Sequence, residues 1–409
     1  NDNSTVVTAA ISSGAGGTLA GARSLTAVNG VVTFTDLALT GTPSVSYKLG
    51  FTSSPLVAAN SNNFTVVAGA ATQISMLTQP VGAVTGMNLG TQPSVELLDF
   101  YGNVVLSDST TVVSVAIASG TGGTLSGNLT ATAVNGVATF AGLKLTATPQ
   151  ANYTLRFSSG SLATATSSAL QVTHDAATSF RWITQPVGTA TGEDLATQPV
   201  LELLDQYLNR TTSDNSTVVT ASIRTGTNGS LAQVTATASG GVITFDSLNL
   251  VGTPGVSYTL GFAAGAIQSP ASNPIVLTHA APYRVVVLAQ PVGGISGATL
   301  PANNYPILQV RDRFGNPATS DNSTQVTVAV CPQASCAGSS NGGLVTGATT
   351  VTAVGGQVTF SNIAAAGTPG ANYQLRFTSS GLMSATAAAI QLTKVADLTL
   401  SYPDTNYAP

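Results

Sequence analysis

Charge is scarce in this chain. Lys, Arg, Asp and Glu make up 7% of its 409 residues, against about 25% in an ordinary soluble domain. The 12 basic and 16 acidic side chains leave a net charge of −4 and form no basic stripe. That absence argues against nucleic acid and anionic membrane as partners. Leu, Glu and Lys are too few for a helical bundle or coiled coil. Long apolar runs are missing as well. Gly, Pro, Asn and Ser interrupt every one well short of the ~18 residues of a membrane-spanning helix, so no membrane insertion is expected. The chain starts at Asn1, without Met or a signal peptide. It is expected to be either processed or part of a longer polypeptide.

Thr, Val, Ser, Ala and Gly are abundant instead, which favours strands and turns. The 43% hydrophobic content is enough for a buried core. The chain is also a tandem repeat. Gln-Pro-Val-Gly starts at Gln79, Gln185 and Gln290, and Leu-Leu-Asp-Phe-Tyr-Gly-Asn at 97–103 returns at 203–209 and 310–316 in related form. Asp-Asn-Ser-Thr occurs at 2–5, 214–217 and 321–324, with Asp-Ser-Thr-Thr at 108–111. The unit is about 105 residues, the size of one small domain.

Each unit reads as all-β. Val113, Val115 and Ile117 alternate with small polar residues, as do Val7/Ala9/Ile11, Val219/Ala221/Ile223 and Val326/Val328/Val330. That is the period of a half-buried strand. Asn29-Gly30 and Asn135-Gly136 are hairpin signals. A final alternating strand carries Tyr-x-Leu-x-Phe at Tyr47, Tyr153, Tyr258 and Tyr373. Several short strands separated by turns predict a Greek-key β-sandwich. Each Tyr lies four residues after a Pro, the placement of a tyrosine corner, in which a buried phenol satisfies the backbone at a sheet crossing.

The segments Asp99–Asn103, Gly123–Gly127, Asn135–Phe140 and Tyr153–Phe157 resemble bacterial immunoglobulin-like domains of the invasin/intimin type. They are also similar to the Gly/Thr/Ala-rich repeats of very long bacterial surface and secreted proteins. The resemblance covers nearly the whole chain. It implies an elongated array of immunoglobulin-like sandwiches, an extracellular or cell-surface location, and stalks, adhesins or fibres rather than enzymes. It names no ligand.

The repeat sets the expected domains: 1–69, an incomplete domain lacking its first two strands; 70–174; 175–280; 281–394, with an insertion; and 395–409, the first strand of a further unit. The junctions contain no Gly/Ser tract, so a semi-rigid rod is expected. Two explanations of the ends stay open. The chain is an excerpt, or its terminal strand, with Leu398, Leu400 and Tyr402, completes the first domain of another copy head to tail.

Candidate chemistry is thin. Cys331 and Cys336 are the only cysteines, in an insertion unique to the fourth unit. A Cys-x4-Cys loop can close as a local disulfide, which suits an extracellular compartment. A zinc site needs about four ligands, and His174 and His279 lie a repeat apart. The acidic sets Asp99/Asn103/Asp108, Asp205/Asn209/Asp214 and Asp312/Asn316/Asp321 could supply oxygen ligands to Ca2+. The same residues are ordinary turn formers, and no other cofactor is indicated. Glu96 and Glu202 are repeat-equivalent and form no acid/base pair. The expected function is a structural extracellular fibre or stalk. The alternative is an adhesin stalk that touches a glycan or surface ligand through the Cys331–Cys336 loop.

Overall fold

The computed structural model describes residues 1–395. Leu398, Leu400 and Tyr402, proposed above as an exchanged strand, lie outside the described residues. The chain divides into two compact units. One is Asn1–Ala176 with the loop Asp205–Asn209, and the other is Ala177–Leu204 with the residues from Arg210 onward.

The second repeat illustrates the architecture. One sheet holds Gln73–Thr78, Ser94–Leu98 and Val137–Thr139, with Ser94–Leu98 in the middle. The other runs Thr130–Thr132, Val112–Ser119, Thr154–Ser158, Ala165–Thr166 in spatial order. The chain leaves the first sheet after two strands, returns to it for Val137–Thr139 and leaves again. Those crossings make a Greek-key sandwich. A two-stranded ribbon, Thr124–Ser126 with Lys144–Thr146, bridges one flank. The third and fourth repeats use the same pairings, with Val200–Leu204 and Ile307–Asp312 as the middle strands. The protein is therefore all-β, a tandem series of β-sandwiches. Among the described residues no helix is long and apolar enough to cross a membrane.

The alternating residues fill the sandwich. In the second repeat Val95, Leu97, Val113, Phe140, Leu155 and Phe157 are buried in one cluster, each full burial contributing about 1.5–3 kcal/mol. Phe140 and Phe157 meet edge-on at 5.3 Å. The Tyr-x-Leu-x-Phe strand is central rather than final. After it come the short strand Ala165–Thr166 and a Leu170 bridge back to Tyr153.

The hairpins explain the recurring strings. Asn135 and Gly136 sit at φ 50° and 75°, the left-handed pair of a type I′ turn. Ser109 Oγ accepts the Asn135 N–H at 3.0 Å. Asn215 and Asn322 side chains accept the Gly240 and Gly355 N–H groups at 2.7 and 2.8 Å. Asp-Asn-Ser-Thr thus starts one strand and holds the turn of another hairpin.

The first repeat has the sheet Ser24–Thr26, Val6–Ser13, Ser46–Thr52, Ala59–Asn60 and the ribbon Thr18–Ala20 with Ala38–Thr40. Residues 1–69 contain no counterpart of the three-stranded sheet. Phe34, Leu37, Leu39 and Phe51 are only half-buried, whereas Phe140, Leu143, Leu145 and Phe157 are at most 1% exposed.

Candidate functional site

The Asp-x-Tyr-Gly-Asn loops sit where repeats meet. Asp99 is buried beside the linker. Its Oδ1 accepts the N–H groups of Tyr101 and Asn103, both at 2.9 Å. Its Oδ2 accepts the Asn103 side-chain amide at 3.2 Å and the linker N–H of Gly69 at 3.0 Å. Asp205 makes the same set with Tyr207, Asn209 and Asp175, and Asp312 with Phe314, Asn316 and Ala280. One carboxylate therefore closes its own turn and grips the incoming chain.

Asp108, Asp214 and Asp321 stand on a separate turn. Asp108 accepts the Thr110 and Thr111 N–H groups and the Thr111 hydroxyl. Asp214 and Asp321 accept the equivalent N–H groups at 3.0–3.1 Å. These oxygens face N–H or O–H donors, except Asp321 Oδ2, which is buried without a hydrogen-bond partner among the described residues. Among the described residues no group of three or more His, Cys, Asp or Glu converges as a metal site.

The donors lower the carboxyl pKa values. For Asp99 the Asn103 N–H leads, and for Asp108 the Thr111 hydroxyl leads. Burial works to raise Asp205, Asp312 and Asp321. Their hydrogen-bond donors outweigh it, and all three end below the ordinary value of 3.8. The hydroxyl of Thr5 and the N–H groups of Ser4 and Thr5 bring exposed Asp2 to about 2.

The four tyrosines are fully buried. The Tyr258 phenol accepts the Thr253 N–H at 2.8 Å and donates to Thr227 O at 2.9 Å. Tyr47 does the same with Thr42 and Ala15. Tyr153 donates to Thr121 O, and Tyr373 accepts from Thr368 N–H. The rings lie against glycines. Gly226 sits at φ +108°, and a Cβ there would run into the Tyr258 ring.

Cys331 and Cys336 are joined by a disulfide with Cα atoms 5.9 Å apart. The loop is anchored where Cys331 N–H meets Gln374 O at 2.8 Å and Ser340 N–H meets Asn372 O at 2.7 Å. Pro332–Ser335 between these anchors is exposed. His174 Nδ1 lies 2.8 Å from Asp175 O, and His279 Nδ1 lies 2.7 Å from Ala280 O. Both rings hold linker backbone. Glu202, by contrast, pairs across the sheet with Arg181.

The sequence reading missed a hydroxyl-Gly-x-x-Leu string: Thr85–Leu89, Thr191–Leu195 and Ser296–Leu300. Its hydroxyl is a two-way clasp. Thr85 Oγ1 donates to Ala147 O and accepts Ala147 N–H, at 3.0 and 2.9 Å. Thr191 does so with Gly252, and Ser296 with Gly367. The glycine admits an aromatic ring from the next Asp loop. A Cβ on Gly86 would strike Tyr207, and one on Gly192 would strike Phe314. Repetition of the string at the repeat spacing was the available signal.

No protein-family pattern matches the sequence, and no curated protein matches it. Solved structures do. Invasin, described as a bacterial integrin-binding protein, is 14% identical, with 96% of this chain and 72% of that one covered and a TM-score of 0.31. The FN1–FN3 domains of chicken CNTN1 are 7% identical, covering 80% and 99%, at 0.24. The Yersinia pseudotuberculosis adhesin InvE is 19% identical, covering 52% of this chain and 58% of that one, at 0.21. The fold assignment rests on the strand pairing described above.

Proposed function

We propose that this chain is a structural part of an extracellular stalk or fibre. The observation that carries the reading is the recurring junction. The same Asp grips each linker N–H (Gly69, Asp175, Ala280), and polar side chains recur once per repeat rather than converging in one centre. Such an array transmits force through backbone pairing and short, clasped linkers. The local disulfide suits an oxidising, extracellular compartment.

The finer reading is head-to-tail assembly, in which the segment with Leu398, Leu400 and Tyr402 would add as a strand to the first repeat of another copy. Electron microscopy of the full chain beside a version ending at Val395 tests it. Filaments from the full chain and short particles from the truncated one are expected. Short particles from both would overturn it.

A second reading, an adhesin stalk, is favoured by one observation: the exposed cystine loop interrupts the fourth repeat alone. Deleting residues 331–343 should then abolish binding to the surface or glycan ligand. On the fibre reading the deletion leaves assembly intact.

A further inference from the structure

The junction of the third and fourth repeats, which lies within the second compact unit, pairs a histidine with a serine. His279 Nδ1 is 2.7 Å from Ala280 O. A carbonyl has no proton to give, so the imidazole hydrogen sits on Nδ1 and is donated to it. A lone pair is left on Nε2. Ser320 Oγ lies 2.5 Å from Nε2 and donates its proton there, and the Ser320 N–H also points to Nε2 at 3.3 Å. A hydroxyl, a base and a group that orients the base are thus connected in series, the arrangement that activates a serine as a nucleophile. A backbone carbonyl takes the orienting place that a carboxylate fills in the Ser-His-Asp triad.

The pair is open to a ligand. Ser320 is exposed and His279 half-buried. Both line a crevice of about 320 Å³ together with Pro254, Asn316, Pro317 and Thr319 among others, a volume at the small end of ligand sites. Pro254 and Pro317 are its apolar walls. Asn316 gives one side-chain amide proton to Asp312 and keeps the other. The Thr319 N–H has no acceptor among the described residues. Both therefore offer donors to an oxygen bound there. The histidine is not what closes a junction. Ala68 and Ser107 hold the same repeat positions at the first junction, and Asp99 still takes the Gly69 N–H at 3.0 Å.

We propose that Ser320 is an acyl-accepting nucleophile with His279 as its general base, and that the crevice takes a carboxylic ester with a short acyl chain. Ser320 Oγ forms a bond to the ester carbonyl carbon as its proton passes to His279 Nε2. The bond from that carbon to the ester oxygen then breaks, and the proton moves from Nε2 to the leaving alkoxide. The products are an alcohol and an acyl ester on Ser320. Water attacks this ester in the same way. It gives a proton to Nε2, the proton returns to Ser320 Oγ, and the carboxylic acid leaves. The activity is separate from the stalk reading, and neither depends on the other.

The test is incubation of the full chain with p-nitrophenyl acetate, followed over time by peptide mass spectrometry. Ser107 is the internal control, because Ala68 holds the place of His279 beside it in the repeat. A general base contributes roughly 10²–10⁴-fold. Ser320 should therefore be acetylated at least about a hundredfold faster than Ser107, and His279→Gln should slow Ser320 by a similar factor. Ser320→Ala should remove that label, and circular dichroism checks that both variants stay folded. Equal rates at Ser320 and Ser107 in the unaltered chain overturn the proposal without reference to any variant. An unchanged Ser320 rate in folded His279→Gln overturns it too, as does acetyl found on His279 or the lysines but not on Ser320.

Discussion

The buried tyrosine oxygen shows how much one atom does in these repeats. Tyr258→Phe keeps the ring but leaves the Thr253 N–H and the Thr227 carbonyl without their partner. An unmade buried hydrogen bond costs about 1–3 kcal/mol. The third repeat should lose stability on that scale in urea denaturation. Trp182, packed edge-on against Phe262 at 5.3 Å, is a reporter inside the same sandwich, and it is the only Trp. Gly226→Ala should cost more, because strain at φ +108° adds to a clash with the ring. Gly252→Ala should be milder. A Cβ there also approaches the phenol, yet the second repeat carries Ala147 at that place and still buries Tyr153 fully. An Ala at Gly226 that proved harmless would contradict the ring-on-glycine account.

At the scale of the element, the turns are held by ionised carboxylates, and this gives the protein an acid limit. Asp99, Asp108, Asp205, Asp312 and Asp321 have pKa values below the ordinary 3.8. Their folded forms bind protons less readily than the unfolded chain does. Stability from these groups is therefore fully present above about pH 5 and is lost as pH falls through the folded values. Thermal melts should be flat from about pH 7 to pH 5 and should fall steeply below about pH 4. Asp205→Asn should lower the melting temperature at neutral pH and flatten the acid-side fall. A variant with an unchanged acid slope would mean that this loop contributes nothing to it.

At the scale of the whole molecule, the third and fourth repeats, which lie within one compact unit, are joined by a few small contacts. At the junction of the third and fourth repeats, Phe314 rests on Gly192. Arg313 lies over the Phe314 ring at 4.8 Å and donates to Gly192 O at 3.2 Å. Gly192→Val would expel the ring. Asp312 is on the same loop and holds the Ala280 N–H, so the variant should exchange that amide faster with solvent. Core amides such as that of Leu260, which is fully buried, should exchange unchanged. Equal exchange at Ala280 in both proteins would show that the linker is held without the ring.

Periodicity alone established the strands, the repeat and the inward faces, because alternation and turn residues are local properties that each copy states again. The recurring placement of Tyr153 four residues after Pro149 marked it for burial for the same reason, and its ring is fully buried with the phenol on Thr121 O. Contacts between segments distant in sequence were not legible. That Asp99 serves Gly69, that Thr85 clasps Ala147 and that Gly86 lies under Tyr207 depend on which loops the Greek-key crossings bring together. Asp and Asn spacing could not separate a cation loop from a hydrogen-bonded turn, since both use the same oxygens. The direction of the surrounding N–H groups distinguishes them, and that direction exists only once the chain is folded.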